Sequence, residues 1–198
     1  MIGSLILIGG GSCSGKTTLA SSLKDTLGKD AVLISTDNFY KGVGQNGCRN
    51  VNFDHPGMID FDYLRDSVAS LLSGRDVEIP LYDFSTHSRL DEKLKIKPAQ
   101  TVIIEGIFAL YQRKILEMSR LKVFVDCGID IMIRRRIERD VKERGRSVRD
   151  IVAQFLDTVL PMYYEYVLPT RRNADIILDG RGDYKELLRD ILNRLGVE

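Results

Sequence analysis

The segment from Gly10 to Thr17 contains residues whose types and spacing are suited to binding a polyphosphate. It follows the pattern G-x-x-x-x-G-K-T, in which glycines let the backbone wrap closely and successive N–H groups point at phosphate oxygens. Lys16 can reach the β- and γ-phosphates of a nucleotide, and the hydroxyl of Thr17 is placed to ligate Mg²⁺. The residues predicted to bind the nucleotide are Gly10, Gly11, Ser12, Cys13, Ser14, Gly15, Lys16, Thr17 and Thr18.

The sequence on either side of this segment supports the same interpretation. Leu5–Ile8 is a short apolar run suited to a buried parallel strand. Apolar residues then recur at helical spacing in Lys16–Leu27, and Gly28 is a suitable stop. The alternative is a glycine turn with an unrelated lysine, but strand, glycine-rich loop and helix form the context that the motif requires.

Two acidic residues follow predicted strands and are candidates for the chemistry around the phosphates. Glu105 ends the apolar run Thr101–Ile104, the Walker B arrangement, which places an acid near a Mg²⁺ ion beside Thr17. Asp37 follows the run Ala31–Ile34, and the carboxyl ends of parallel strands share one rim of a sheet. Asp37 could accept a proton from an attacking hydroxyl there, or it could cap a turn or helix. The residue types alone favour neither role.

Arginines crowd one predicted helix and the turn after it. Most helix arginines form solvated faces or ion pairs, and Glu138, Asp140 and Glu143 are available partners. A nucleic-acid patch is disfavoured because acids are interleaved throughout. An enzyme that transfers a phosphoryl group needs cations that clamp it, and this helix and turn would be a natural lid. The arginines are Arg134, Arg135, Arg136, Arg139, Arg144 and Arg146.

Composition excludes several classes of protein. The 198-residue chain has 43% apolar residues and a formal net charge of +1, which gives no global attraction to nucleic acid or membranes. It has no apolar run long enough for a membrane span and no signal-peptide pattern. The cysteines, Cys13, Cys48 and Cys127, lack C-x-x-C spacing, which favours reduced thiols in a cytoplasmic protein. With only His55 and His87, a histidine-rich metal centre is excluded.

Strand-like apolar runs alternate with helical patterns, which predicts an α/β fold with a parallel sheet. The length favours one domain over residues 1–198, with a modest lid or insertion. The irregular regions are Phe39–Pro56 and Val77–Pro98, of which the second is predicted to be an insertion holding a β-hairpin or flap. The predicted strands are Leu5–Ile8, Ala31–Ile34, Thr101–Ile104, Lys122–Val125 and Asp175–Leu178. The predicted helices are Lys16–Leu27, Tyr63–Leu72, Ile129–Glu143, Val148–Leu160 and Tyr184–Leu195.

Two polar and aromatic segments lie inside these irregular regions, Asn52–Pro56 and Pro80–Arg89. Aromatic side chains can stack on nucleobases, and carboxylates can pair with sugar hydroxyls. The alternative is a loop capped by Asp and Pro, with Tyr82 and Phe84 as a satellite of the core.

Taken together, these features resemble the uridine–cytidine kinase family over nearly the whole chain, from Gly9 to Asp175. The resemblance implies Mg²⁺-dependent phosphorylation of uridine and cytidine at the 5′-hydroxyl, with ATP or GTP as donor. It also implies a P-loop kinase fold with a five-stranded parallel sheet, a β-hairpin over the nucleoside, a helical arginine lid at about residues 134–150 and a homo-oligomer, often a tetramer. The motifs that carry it are Gly10–Thr17, Asp37–Tyr40, Asn52–Pro56, Tyr82–Arg89, Glu105–Ile107, Arg139–Asp140, Glu143–Arg146 and Pro169–Thr170.

Carried over by position, the resemblance implies a catalytic group formed by Asp37, Lys16, Arg139 and Arg144, with Asp37 as the base at the 5′-hydroxyl. Asp54 would hold ribose hydroxyls, and Thr17 and Glu105 would ligate Mg²⁺. Tyr82 and His87 would address the pyrimidine. The full set implied for the nucleoside is Asp37, Tyr40, Asp54, Tyr82, His87, Arg136, Arg146 and Gln154.

The chain departs from the usual family pattern at Asn38, Gly57–Ile59, Met132 and the tail from Gly180 to Tyr184. These departures bear on substrate preference and subunit packing more than on the reaction. One alternative is a phosphoribulokinase-like enzyme acting on another sugar hydroxyl, although the Tyr82–Arg89 block suits a nucleobase. Another is a nucleotide-binding regulator without phosphotransfer, and a third is an RNA-binding protein.

Overall fold

A computed structural model describes residues 3–43, 51–182 and 184–196. Its strands are β1 (Ser4–Gly10), β2 (Ala31–Ser35), β3 (Val77–Asp83), β4 (Ser88–Ile96), β5 (Thr101–Glu105), β6 (Leu121–Asp126) and β7 (Ile176–Asp179). Five of them form a parallel sheet in the order β2-β5-β1-β6-β7. The predicted α/β fold with a five-stranded parallel sheet is therefore confirmed.

Helices cover both faces of this sheet, as a parallel sheet requires. They are α1 (Lys16–Leu27), α2 (Phe61–Leu72), α3 (Arg113–Met118), α4 (Ile129–Arg144), α5 (Val148–Gln154), α6 (Leu160–Met162) and α7 (Tyr184–Leu195). Side chains alternate along β1, so that Leu5 and Leu7 join one core cluster and Ile6 and Ile8 join the other. Helices α1 and α7 pack on the second cluster, while α2 packs on the first.

Most predicted elements lie where the structure has them. The bounds of α1 and α7 are those predicted, while α2 begins earlier and β6 extends further at both ends. The short α3 was not predicted because a six-residue helix is too short to show a clear period. No helix among the described residues is long and apolar enough to cross a membrane.

The predicted helix from Val148 to Leu160 is present, but it is not α-helical throughout. The chain stays helical but alternates α5 and α6 with π-helical turns at Phe155–Val159 and Tyr163–Val167, and then enters a 3₁₀ turn at Leu168–Asn173. A π turn takes up more residues than the about 3.6 of an α turn. Alternating the two keeps every fourth residue on one face, and the buried residues follow that spacing: Ile151, Phe155, Val159, Tyr163 and Val167.

The predicted insertion holds an antiparallel hairpin of β3 and β4, outside the main sheet. Its pairing shifts register between Pro80 and Tyr82, because a proline in a strand lacks the N–H that a regular ladder needs. The hydroxyl of Tyr63 on α2 donates to the carbonyl of Glu78 at 2.7 Å. Asn38 donates through Nδ2 to the carbonyl of Pro80 at 3.2 Å. The hairpin is thus tied to the turn that follows β2.

Candidate active site

The loop between β1 and α1 surrounds a cavity of about 430 Å³ and has the backbone expected of a phosphate-binding loop. Gly15 takes the left-handed conformation at φ 104°, immediately before α1. Cys13 also has a positive φ of 60°, which is uncommon for a residue with a Cβ atom. The residues lining the cavity are Cys13, Gly15, Lys16, Thr17, Thr18, Arg135 and Arg139.

Arg135 holds the backbone of this loop, a role that sequence reasoning did not assign. Its guanidinium donates to the carbonyls of Cys13 (3.5 Å), Ser14 (3.3 Å) and Gly180 (3.1 Å). Because a trans peptide directs its N–H away from its carbonyl, anchoring the Ser14 carbonyl turns the N–H of Gly15 the other way. Arg135 therefore fixes part of the donor array of the loop.

Gly11 lies under two side chains of the helical layer. A Cβ atom there would approach Sδ of Met132 to 2.5 Å and a ring carbon of Tyr163 to 3.0 Å. Met132, one of the departures from the family pattern, is thus a buried packing residue against the phosphate loop. Any larger residue at position 11 would have to displace it.

Lys16 and Thr17 begin α1, directly after the loop. The ammonium of Lys16 is buried and donates to the carbonyl of Gly11 at 3.4 Å. The hydroxyl of Thr17 donates to Oε2 of Glu105 at 3.2 Å. Glu105 is the last residue of β5 and is buried, so the predicted pair of oxygen ligands meets at the rim of the sheet. Their hard oxygen donors fit Mg²⁺, which binds through few protein ligands and completes its shell with phosphates and water.

Asp37 lies on the same rim, in the 3₁₀ turn Thr36–Phe39 after β2. Desolvation and the negative charge of Glu105 raise its pKa to about 6, against the opposing effect of Lys16, Arg139 and Arg144. The turn is capped by Ser35, whose Oγ accepts from the N–H of Asp37 at 3.2 Å. No hydrogen bond to the Asp37 carboxylate occurs among the described residues, so the alternative of a capping role loses support.

Aromatic rings from the hairpin and from the loop before α2 form a cluster beside the turn that carries Asp37. The rings of Phe53 and His87 stack with their centroids 4.4 Å apart, and the ring centroids of Tyr40 and Tyr82 are 5.3 Å apart. His87 has a left-handed backbone at φ 52°, and its buried Nδ1 has no hydrogen-bond partner among the described residues. Phe84 at the hairpin turn lies 5.7 Å from the guanidinium carbon of Arg144. The hairpin turn and the end of the arginine helix α4 therefore meet.

Arg89 anchors the end of the hairpin to the Asp37 turn. It donates to the carbonyls of Tyr40 at 2.8 Å and Phe39 at 3.1 Å, and it forms an ion pair with Asp60 at 3.2 Å. The sequence placed Arg89 in a motif but assigned it no role. The structure makes it a brace between the turn that carries Asp37 and the strand that follows His87.

The arginine helix contacts both the phosphate loop and residues that are predicted to bind the nucleoside. Arg136 donates to Oγ of Ser12 at 3.0 Å, and its charge opposes the rise that desolvation causes in the pKa of Asp54. Arg136 and Arg146 both donate to Oε1 of Gln154, at 3.2 and 2.6 Å. Arg136 thus joins the phosphate loop to Gln154 and Arg146, two of the residues predicted to bind the nucleoside.

Sequence reasoning assigned one residue of this region no role beyond that of an available ion-pair partner and a member of the Arg139–Asp140 motif. Asp140 is fully buried and pairs with Arg136, Arg139, Arg144 and Arg146. The signal was present, because Arg136 and Arg144 stand four residues on either side of it, at the spacing of helical neighbours. Among the cysteines, Cys13 and Cys127 are free thiols, and Cys48 lies outside the described residues.

Comparison with known proteins assigns the chain to a family. Residues 5–185 match the model of the Phosphoribulokinase / Uridine kinase family. The chain belongs to this family. It is 40% identical to a uridine kinase of Halobacterium salinarum over 174 residues, 86% of this chain and 77% of the relative. It is also 40% identical to a uridine kinase of Lactobacillus helveticus over 184 residues, 90% of this chain and 87% of the relative.

A solved structure supports the fold. The structure of a possible uridine kinase from Bacillus stearothermophilus superposes with a TM-score of 0.65 at 20% identity, covering 90% of both chains. At that identity the likeness concerns the architecture alone. The family model spans every site residue described above, from the phosphate loop to Gln154.

Proposed function

We propose that this protein transfers the γ-phosphoryl group of ATP or GTP to the 5′-hydroxyl of uridine and cytidine. The observation that carries the proposal is the position of Asp37, a carboxylate beside the phosphate loop whose pKa is raised to about 6 by desolvation and by the charge of Glu105. A general base is most effective when its pKa lies near the working pH. The names of the two relatives that are 40% identical support uridine as the acceptor.

In this mechanism Asp37 accepts the proton of the 5′-hydroxyl as that oxygen attacks the γ-phosphorus. The bond from the γ-phosphorus to its bridging oxygen breaks, and the nucleoside diphosphate, ADP or GDP, leaves with the electron pair. Lys16, Arg139 and Arg144 stabilise the charge that spreads over the transferring group. Mg²⁺ held by Thr17 and Glu105 would neutralise charge on the β- and γ-phosphates.

The nucleoside would lie between the hairpin and the arginine helix. Asp54 can accept hydrogen bonds from two ribose hydroxyls, and Tyr82 and His87 would face the base. The amide oxygen of Gln154 is already occupied by Arg136 and Arg146. Its amide nitrogen, a donor only, is therefore the group available to a pyrimidine carbonyl. Tyr40 completes the aromatic wall beside Tyr82.

A substrate panel tests this proposal. We expect kcat/KM to be highest for uridine and cytidine, and much lower for adenosine and ribulose 5-phosphate. 2′-Deoxyuridine should be poor because it leaves an acceptor of Asp54 unpaired in a desolvated site, which typically costs about 1–3 kcal/mol. The measurement is a coupled assay of ADP or GDP release, with the phosphorylated position of the product identified by NMR. Preference for ribulose 5-phosphate, or equal rates for uridine and deoxyuridine, would refute the assignment of these residues to a ribonucleoside.

Two variants separate the base contact from the ribose contact. His87→Asn removes the imidazole but keeps a residue that tolerates the left-handed backbone. We expect it to discriminate less between pyrimidines and purines. That loss would be due to the missing ring and not to a strained backbone. Asp54→Asn should lower kcat/KM for all ribonucleosides by a similar factor. If His87→Asn discriminates as well as the native protein, His87 does not read the base.

The metal site can be tested independently of the acceptor. We expect Glu105→Gln to raise the Mg²⁺ concentration needed for half-maximal rate about 10- to 100-fold, because a charged oxygen 3.2 Å from Thr17 becomes neutral. The measurement is initial rate against free Mg²⁺ at saturating substrates. Asp126→Asn is the control, since Asp126 ends strand β6 of the same sheet but pairs with Arg171 at 3.2 Å. An unchanged Mg²⁺ dependence in Glu105→Gln would remove Glu105 from the metal site.

We infer the assembly from the resemblance alone. A homo-oligomer such as a tetramer is the expected state, and sedimentation of the purified protein measures it directly.

A further inference from the structure

The side chain of Asp140 is the common counter-ion of four arginines. Both Nε and NH2 of Arg139 lie 2.8 Å from Oδ1, and NH1 of Arg144 lies 3.5 Å from it. NH1 of Arg146 lies 3.5 Å from Oδ2 and Nε of Arg136 lies 3.7 Å from it. The carboxylate has no exposure to solvent, whereas Arg139, Arg144 and Arg146 are 32%, 42% and 30% exposed. Asp140 therefore lies behind these arginines, on their side away from solvent.

The two carboxylate oxygens divide the arginines by the substrate that each is proposed to meet. Oδ1 pairs with Arg139 and Arg144, which are assigned to the phosphates. Oδ2 pairs with Arg136 and Arg146, which are assigned to the nucleoside side. One buried carboxylate thus joins the two halves of the proposed site.

The backbone of Asp140 also helps to bring the fourth arginine into this cluster. Helix α4 ends at Arg144, and Gly145 follows with a left-handed φ of 62°, a conformation that glycine adopts without strain. The N–H of Arg146 then donates to the Asp140 carbonyl at 3.2 Å. The turn sends the chain back, so that a residue beyond the helix reaches the carboxylate inside it.

Charge explains why such a carboxylate is needed. Four guanidinium groups around one carboxylate leave an excess of positive charge, which would push the arginines apart without the central anion. A buried charge is costly unless it is paired. Oδ1 of Asp140 has close contacts of 2.8 Å from Arg139, while Oδ2 has only the longer contacts from Arg146 and Arg136. The remaining excess is directed at the cavity, because Arg139 lines it together with Lys16. The cluster is therefore held together before the donor arrives and is still attractive to its phosphates.

From this geometry we infer that Asp140 is a positioning residue, which assembles the phosphate-side and nucleoside-side arginines into one unit and touches neither substrate. The inference rests on the proposed function for the roles of the arginines. Its signature is a pair of effects with opposite signs. Without the Asp140 charge, the cluster attracts a polyphosphate more strongly, yet it no longer holds the arginines in the geometry that phosphoryl transfer requires.

The test compares Asp140→Asn with the native protein in kcat and in affinity for inorganic tripolyphosphate, measured by calorimetry at fixed ionic strength. We expect kcat to fall about 100-fold, the scale of a small misplacement of catalytic groups. We expect the tripolyphosphate affinity to rise by about threefold or more because one nearby negative charge is lost. Glu138→Gln is the matched control, since it removes the same charge from an exposed position of α4 and should change neither quantity.

Each outcome decides the inference. An unchanged kcat in folded Asp140→Asn overturns it, and a parallel fall in kcat and tripolyphosphate affinity reduces Asp140 to a structural residue. If Asp140→Asn does not fold, Asp140→Glu decides, because it keeps the charge and moves the carboxylate. That variant should keep tripolyphosphate affinity and lose turnover, and native turnover in it overturns the inference. A native protein that phosphorylates no nucleoside refutes the proposed function, while the tripolyphosphate measurement still tests Asp140.

Discussion

Replacing Lys16 by alanine is expected to lower kcat by about 10³-fold or more, the scale of removing a cation that acts on the transferring phosphoryl group. Lys16 is the buried ammonium of the phosphate loop, and its charge counts most as negative charge shifts during transfer. The loss should therefore be larger in kcat than in nucleoside KM. The measurement is steady-state kinetics with uridine, together with the thermal unfolding midpoint of the variant.

Folding should survive this change. The ammonium of Lys16 makes one long hydrogen bond of 3.4 Å, to the Gly11 carbonyl, so little stabilisation is lost with it. Lys24→Ala is the matched control, because Lys24 lies on the same helix and donates to the Gly28 carbonyl at 2.9 Å. It removes the same charge and should cost a little helix stability while leaving turnover unchanged. Near-native turnover in folded Lys16→Ala would refute the assignment of the phosphate loop.

Local sequence patterns were sufficient to predict the strands of the main sheet. The apolar runs at Leu5–Ile8 and Thr101–Ile104 are buried on both faces, and this leaves an uninterrupted hydrophobic signal. The strand order and the register depend on which strands meet across the sheet, and no local pattern records that. The π-helical turns after Gln154 are equally hidden, since their four-residue spacing looks like a slightly irregular α-helix until the buried face is known.

The candidate site likewise contains residues whose roles the sequence predicts and residues whose roles it does not. The Gly10–Thr17 motif and the acids after β2 and β5 are sequence signals because their chemistry depends on local spacing and on the ends of parallel strands. Arg89 and Arg135 could not be assigned roles, because each acts on backbone carbonyls far away in the sequence. The pKa of Asp37 was unpredictable for a related reason. It depends on desolvation and on Glu105, which the fold brings together.

Replacing Asp37 by asparagine is expected to lower kcat by about 10²- to 10⁴-fold, the range attributed to a positioned general base. The native kcat/KM should fall as the pH drops through about 6, where the carboxylate becomes protonated, and this acidic limb should be absent from the variant. The measurement is kcat/KM for uridine between pH 5 and 9. Native turnover across that range in Asp37→Asn would make Asp37 a turn residue only.

The same substitution should make the protein more stable, which separates loss of the base from general damage. The folded-state pKa of Asp37 is raised from 3.8 to about 6, so the folded protein holds this proton more tightly than the unfolded chain does. Ionised Asp37 therefore costs stability above pH 6, and the cost disappears below pH 4. Asp37→Asn should unfold at a higher temperature than the native protein at pH 8, and this advantage should vanish as the pH approaches 4.

Asp83 supplies a control of opposite sign for that measurement. Hydrogen bonds from Ser85, with a further one from Thr86, lower the pKa of its carboxyl below 3.8, so its ionised form stabilises the folded protein near neutral pH. Asp83→Asn should therefore lower the unfolding temperature at pH 8, with the difference shrinking as the pH falls through the native pKa of Asp83. Opposite shifts for two Asp→Asn changes cannot arise from the altered net charge, which is the same in both. If Asp37→Asn is also destabilised at pH 8, desolvation of the Asp37 carboxylate does not govern its pKa, and the argument for it as a tuned base fails with it.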